Sequence, residues 1–167
     1  DKRLPWLQRL APTGVSCTPG SDPGVMSVPR DGDPSEILRL GPLICFEDTV
    51  PWLSRDAVRA GARLLVLMTN DAWFNGSIEP IQHLDQSIFR AVENGVPLVR
   101  AANSGVSGVV DAVGRVRRLE SNGAVADFDG FMVSPVGVPH EPLAAPYTRC
   151  GDWLLGIPGA LLVSAVW

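Results

Sequence analysis

The sequence predicts an α/β fold built on a parallel sheet, and three observations carry that expectation. Short runs of strand length lie at Leu43–Phe46, Leu64–Met68 and Leu98–Ala102, the second continuously apolar as strands buried on both faces are. Helical periodicity fills the stretches between them, so strand, helix and strand fall within about 30 residues, a βαβ unit. Each run also stops at polar or reactive residues: Cys45-Phe46-Glu47, Asn70-Asp71 and Asn103-Ser104. In a parallel sheet such ends lie along one edge, and ligands of open α/β sheets bind outside the carboxyl ends of the strands.

Taken in order, Asp1–Leu40 is weakly patterned. Leu4, Trp6, Leu7 and Leu10 suit a short amphipathic turn, and Pro12–Pro34, rich in Pro, Gly, Ser and Asp, reads as a long loop. Ile37–Leu40 is expected as a short strand pairing with Leu43–Phe46. Thr49 suits a cap and Pro51 the first turn of a helix running to Ala62. Leu53, Ala57 and Val58 mark its inner face, Arg55, Asp56 and Arg59 its outer one, and Gly61 closes it. A loop, Ala72–Ser77, presents Trp73 and Phe74. A second helix is expected over Pro80–Asn94, with Ile81, Leu84, Ile88, Phe89 and Val92 facing inward and Gly95 ending it. Val106–Ala112 and Arg115–Leu119 read as a hairpin about Gly114. Asp127–Val138 reads as a strand pair or an extended segment, and Pro139–Pro146 as a loop.

Composition bounds the function. At 167 residues the chain suits one domain, and 46% hydrophobic against 19% charged residues gives it a core to bury. A net charge of −4 without a basic block argues against nucleic acid as a partner. Cys17, Cys45 and Cys150 are odd in number and widely spaced, which is neither a disulfide framework nor a zinc pattern. With only His83 and His140 besides, no metal site and no cofactor are expected. Trp153–Trp167 is almost wholly apolar, yet at about 15 residues it is shorter than the roughly 20 of a membrane span. It reads either as a core element or, the favoured expectation, as the first part of a transmembrane helix, with Trp153 as an interfacial anchor.

Cys45 stands where a strand ends and a helix is about to begin, which makes it a candidate nucleophile; the plainer reading is a buried small hydrophobe. A thiolate attacks acyl carbons, but a free thiol near neutral pH is mostly protonated and needs a proton acceptor. Glu47, two residues on, is a candidate. The N–H of Phe46, following the nucleophile, suits an oxyanion donor if the turn is sharp. Lys2 is the one lysine of the chain. His83 is expected to serve as a structural hydrogen-bonding residue, Asn103 to cap its turn, and Cys17 and Cys150 to be incidental. Trp73 reads as either a core aromatic or a contact for lipid.

Leu43-Ile44-Cys45-Phe46-Glu47, Arg59-Ala60-Gly61-Ala62 and Leu64-Leu65-Val66 resemble the cysteine region of the nitrilase (carbon–nitrogen hydrolase) superfamily. Thr69-Asn70-Asp71-Ala72-Trp73-Phe74, Gln82-His83-Leu84, Phe89–Gly95 and Pro97–Gly105 further resemble its membrane-embedded branch, the apolipoprotein N-acyltransferases. So does Pro146–Trp153. The resemblance covers roughly residues 38 to 155. It implies a partial nitrilase-like αββα sandwich over 1–150, followed by the start of a transmembrane helix over 151–167. It also implies a Glu-Lys-Cys triad in which Cys45 takes an acyl chain from a phospholipid and passes it to the amine of a lipoprotein's diacylglyceryl-cysteine. Membrane lipid is then a further partner, and the location a multi-pass protein of the bacterial inner membrane with its catalytic domain outside the cytoplasm. Cys45 and Glu47 carry over as catalytic residues, and Trp73, Asn70 and Phe46 as substrate-binding ones. Phe46 departs from the family's usual Tyr and Asn75 from its usual Gly, and Lys2 lacks the motif that follows the family's catalytic Lys, so that role is not carried to it. The chain is therefore expected to be a C-terminal fragment, inactive alone, with the triad's Glu and Lys elsewhere. Two alternatives are a soluble nitrilase-type amidase and a non-enzymatic α/β domain that binds through Trp73-Phe74.

Overall fold

A computed structural model describes residues 20, 22–30, 33–74, 76–143 and 145–153. Lys2, Cys17, Asn75, the amphipathic turn from Leu4 and the apolar stretch after Trp153 lie outside them. One mixed six-stranded sheet runs in chain order, β1 to β6. The strands β2 (Asp33–Ile44), β3 (Leu64–Asn70) and β4 (Leu98–Asn103) are parallel, as expected. Strand β1 (Met26–Arg30) adds an antiparallel edge on one side. The hairpin β5 (Gly108–Val110) and β6 (Val116–Arg118) adds the other.

Helices α1 (Pro51–Arg59) and α2 (Glu79–Asn94) are the crossovers of two successive βαβ units and pack against each other on one face of the sheet. Leu43, Leu65, Leu67, Leu98 and Val110 from the sheet meet Ala57, Val58, Leu84 and Ala91 from the helices in one core. A short helix, α3 (Pro146–Cys150), docks on this layer, where the Thr148 hydroxyl donates to the Glu93 carbonyl at 3.1 Å. The described residues thus form one sheet and one helical layer. On the opposite face Ile44 and Met68 are exposed, so the strand ends are not buried on both sides. Among the described residues, no helix is long and apolar enough to cross a membrane.

Several expectations need correcting. The long loop contains β1. Ile37–Leu40 and Leu43–Ile44 are not two paired strands but one continuous strand. Gly41-Pro42 looks like a break, yet a Cβ at Gly41 would lie 2.9 Å from Leu65 Cδ2 and 3.1 Å from the Ala57 and Ala62 Cβ atoms. Glycine is there because α1 crosses close to the strand. Pro42 lies beyond Leu40, the last β2 residue paired with β1. Thr49 does not cap α1: its hydroxyl donates to the Phe46 carbonyl at 2.7 Å, and Val50 holds the N-cap position. Of the two readings of Asp127–Val138, the strand pair is absent. The expected inner face of α2 is rotated: Ile81, Phe89 and Val92 are 43%, 56% and 45% exposed, whereas His83, Leu84, Ser87, Arg90, Ala91 and Asn94 are buried. Carboxylates waiting at the strand ends draw the polar stripe of that helix inward.

Candidate active site

The parallel strands bring their carboxyl ends to one edge, where Ile44, Met68 and Ala101 are level and Asn70 pairs with Asn103. Cys45 follows Ile44 directly and opens a 3-10 turn, Cys45–Thr49. Its φ is 53°, in the left-handed region that a non-glycine residue seldom adopts. Here the chain turns sharply from strand to helix, and the amides that begin such a turn have no intrahelical acceptor. Cys45 is half-buried.

The remaining expected residues sit as follows. Glu47 is exposed; its Oε2 accepts the Ile44 N–H at 2.8 Å and so closes the turn across Cys45. Phe46 stacks on the His83 ring, with centroids 4.9 Å apart and planes at 23°, and meets Phe74 edge-on at 5.9 Å. The Asn70 Oδ1 accepts from Asn103 Nδ2 at 2.8 Å and from the Ala72 N–H at 3.3 Å, which ties the ends of β3 and β4 together. Trp73 is 79% exposed, which removes the core-aromatic reading. Edge residues Cys45, Phe46, Glu47 and Asn70 therefore share one region, with Trp73 on the loop that follows Asn70.

Beneath them lies a buried ionic cluster, in which His83 is the structural hydrogen-bonding residue expected, while its partners were not read from the sequence. His83 Nε2 is 2.9 Å from Asp48 Oδ1, and His83 Nδ1 is 3.0 Å from Asp71 Oδ1. Arg100 donates through Nη2 to Asp71 Oδ2 at 2.7 Å and through Nη1 to Asp48 Oδ2 at 3.3 Å. The Ser87 hydroxyl donates to Asp48 Oδ2 at 2.6 Å, the Thr69 hydroxyl to Asp71 Oδ1 at 2.9 Å, and Arg90 Nη1 to the Asp48 carbonyl at 3.2 Å. A Cβ on Gly105 would run into the Asp71 carboxylate, so glycine leaves that space open.

Charge explains the arrangement. Buried ions persist only when paired and hydrogen-bonded. Two carboxylates face one guanidinium and one imidazole, and both ring nitrogens point at carboxylate oxygens. A neutral imidazole has one N–H, so only the imidazolium donates on both sides. Burial by itself pushes the His83 pKa down, and Arg100 does the same. The Asp48 hydrogen bond and the charges of Asp48 and Asp71 outweigh both, leaving it above the ordinary histidine value. Burial pushes the nearby Glu79 carboxyl up. Among the described residues, no group of side chains suits a metal ion. Two signals in the sequence point to the cluster: His83, Ser87, Arg90 and Asn94 recur at spacings of four, three and four, and Arg100 interrupts an apolar strand.

The arrangement offers a half-buried strand-end thiol, a carboxylate in the same turn and an exposed aromatic on the neighbouring loop. The carbon-nitrogen hydrolase family model matches residues 12–130. An apolipoprotein N-acyltransferase of Geobacter metallireducens is 45% identical over 118 residues, 71% of this chain and 21% of that protein. One from Allorhizobium ampelinum is 33% identical over 180 residues, 97% of this chain and 30% of that protein. The crystal structure of an amidase from Nesterenkonia sp. superposes with a TM-score of 0.48 at 27% identity, covering 64% of this chain and 40% of that one. The chain thus spans between a fifth and a third of the length of these two acyltransferase relatives.

Proposed function

The chain belongs to the carbon–nitrogen hydrolase family, and on that premise we propose that it carries the nucleophile of an apolipoprotein N-acyltransferase. The observation that supports this most is Cys45 itself, held in left-handed backbone at the end of a central parallel strand. Strained, well-determined backbone of this kind clusters at reactive groups. The relatives' names supply the direction of the chemistry.

In the proposed cycle the Cys45 thiolate attacks an ester carbonyl of a phospholipid. The C–S bond forms, the C–O bond breaks, and the lysophospholipid leaves with the proton the thiol gave up. The amine of a diacylglyceryl-cysteine lipoprotein then attacks the thioester; the C–N bond forms, the C–S bond breaks, and the sulfur regains as a thiol the proton the amine loses. Glu47 is the carboxylate that takes part in proton movement within the turn, and the Phe46 N–H is a donor to the oxyanion. Asn70 and Phe46 line the edge where the acyl group sits. Trp73, exposed on its loop, contacts the lipid. The protein works at the bacterial inner membrane, with this domain on the extracytoplasmic side.

The test uses the full-length protein in phospholipid vesicles with a diacylglyceryl-cysteine peptide. The peptide is expected to gain one acyl chain by mass, and Cys45→Ala to abolish that gain at an unchanged melting temperature. A Cys45→Ala protein that still acylates the peptide excludes this cysteine as the acyl carrier.

A further inference from the structure

The acyl-transfer cycle makes no use of the buried cluster under Cys45, yet three elements of the site meet there. Asp48 belongs to the Cys45 turn, Asp71 follows β3, and His83 comes from α2. His83 bonds both carboxylates at about the same length, 2.9 and 3.0 Å, and its ring face carries the Phe46 side chain at 4.9 Å. The two side-chain bonds within the turn, from the Ile44 N–H to Glu47 and from the Thr49 hydroxyl to the Phe46 carbonyl, are exposed to water, where hydrogen bonds contribute little net energy. The buried clamp therefore decides where the turn rests.

We infer that His83 is a positioning residue: pinned between Asp48 and Asp71, it holds Phe46 by stacking and so sets the Phe46 N–H where the oxyanion of Cys45 acylation forms. This rests on the reading of Cys45 as an acyl-accepting nucleophile. His83 touches no reacting atom and moves no proton in the cycle. The charged groups that face it are Asp48 from the turn, Asp71 from the end of β3, Arg100 from β4 and Glu79 on its own helix. Losing one imidazole proton sets a lone pair against one of the two carboxylates, so the clamp opens on the alkaline side.

The experiment compares two reactions of Cys45 in the full-length protein. p-Nitrophenyl acetate acylates the thiolate: the C–S bond forms, the C–O bond breaks and p-nitrophenolate is released in a burst. Iodoacetamide alkylates the same sulfur without forming an oxyanion. At the pH plateau, His83→Gln is expected to slow the burst at least tenfold, roughly what misplacing an oxyanion donor costs, while alkylation stays within about threefold. The wild-type burst rate is expected to fall on an alkaline limb above the ordinary histidine range, and His83→Gln to lack that limb. Phe46→Leu leaves every charge of the cluster in place and removes only the stacked ring; it is expected to show the same slow burst at an unchanged melting temperature. Burst rates within about twofold of wild type in both variants overturn the inference. So do burst and alkylation falling together with the melting temperature, or a wild type that is alkylated but gives no burst. A normal wild-type burst with no acyl transfer to the lipopeptide removes the transferase reading and leaves the role of His83 standing.

Discussion

At φ 53°, Cys45 sits in a conformation that costs a non-glycine residue of order 1 kcal/mol or more, and the groups around it hold it there. Glu47 is one of them. A Gln at 47 still offers an amide oxygen to the Ile44 N–H, so it keeps the turn and removes only the charge. Glu47→Gln is expected to lower turnover at least tenfold while moving the melting temperature by less than about 3 °C; unchanged turnover makes Glu47 purely the acceptor that closes the turn. His83 gives a second residue-level prediction. Its folded pKa is raised, so its contribution to stability is complete below the unfolded value near 6.5 and declines as pH rises through the folded value. Denaturant midpoints of the wild type are expected to fall over that interval, with His83→Gln lacking the fall attributable to this residue. A wild type as flat as the mutant contradicts the clamped imidazolium. Cys45 was legible in the sequence because a thiol ends an apolar run. The cluster was not, because Asp48, Asp71, His83 and Arg100 come from four separate segments and only the fold makes them neighbours.

Helix α2 shows how hydrophobic periodicity alone misplaces a face. Its extent and its Gly95 terminus, at φ 62°, follow the sequence closely. Its orientation does not, since Ile81, Phe89 and Val92 face outward while His83, Ser87, Arg90 and Asn94 are buried and hydrogen-bonded. Asn94 Nδ2 donates to the Ser54 hydroxyl at 3.2 Å and to the Arg90 carbonyl at 2.9 Å. Paired ions overrode the apolar stripe. Leu84→Ala, which opens the core, is expected to cost about 2–5 kcal/mol, against about 0.5 kcal/mol or less for Phe89→Ser on the exposed face. Equal losses in chemical denaturation contradict the observed rotation of the helix. β2 was misread for a related reason: Gly41-Pro42 marks turns in most contexts, and only the passage of α1 over the strand explains a glycine inside it.

Across the whole molecule, the three parallel strands and two crossover helices were legible because each is a continuous local pattern. Of the antiparallel margins, the β5–β6 hairpin about Gly114 was legible as well, whereas strand β1 is hidden in a Gly- and Pro-rich stretch. The edge where β2, β3 and β4 end is what the architecture contributes to function, since it gathers a thiol, a carboxylate, paired amides and an exposed tryptophan from segments far apart in sequence. Whether Cys45 carries an acyl group is decided by intact mass spectrometry of the full-length protein incubated with phospholipid. A mass gain of one acyl chain, released by hydroxylamine and absent in Cys45→Ala, is expected. No adduct on a Cys45 that iodoacetamide alkylates rapidly contradicts that expectation and points to amidase chemistry on other substrates.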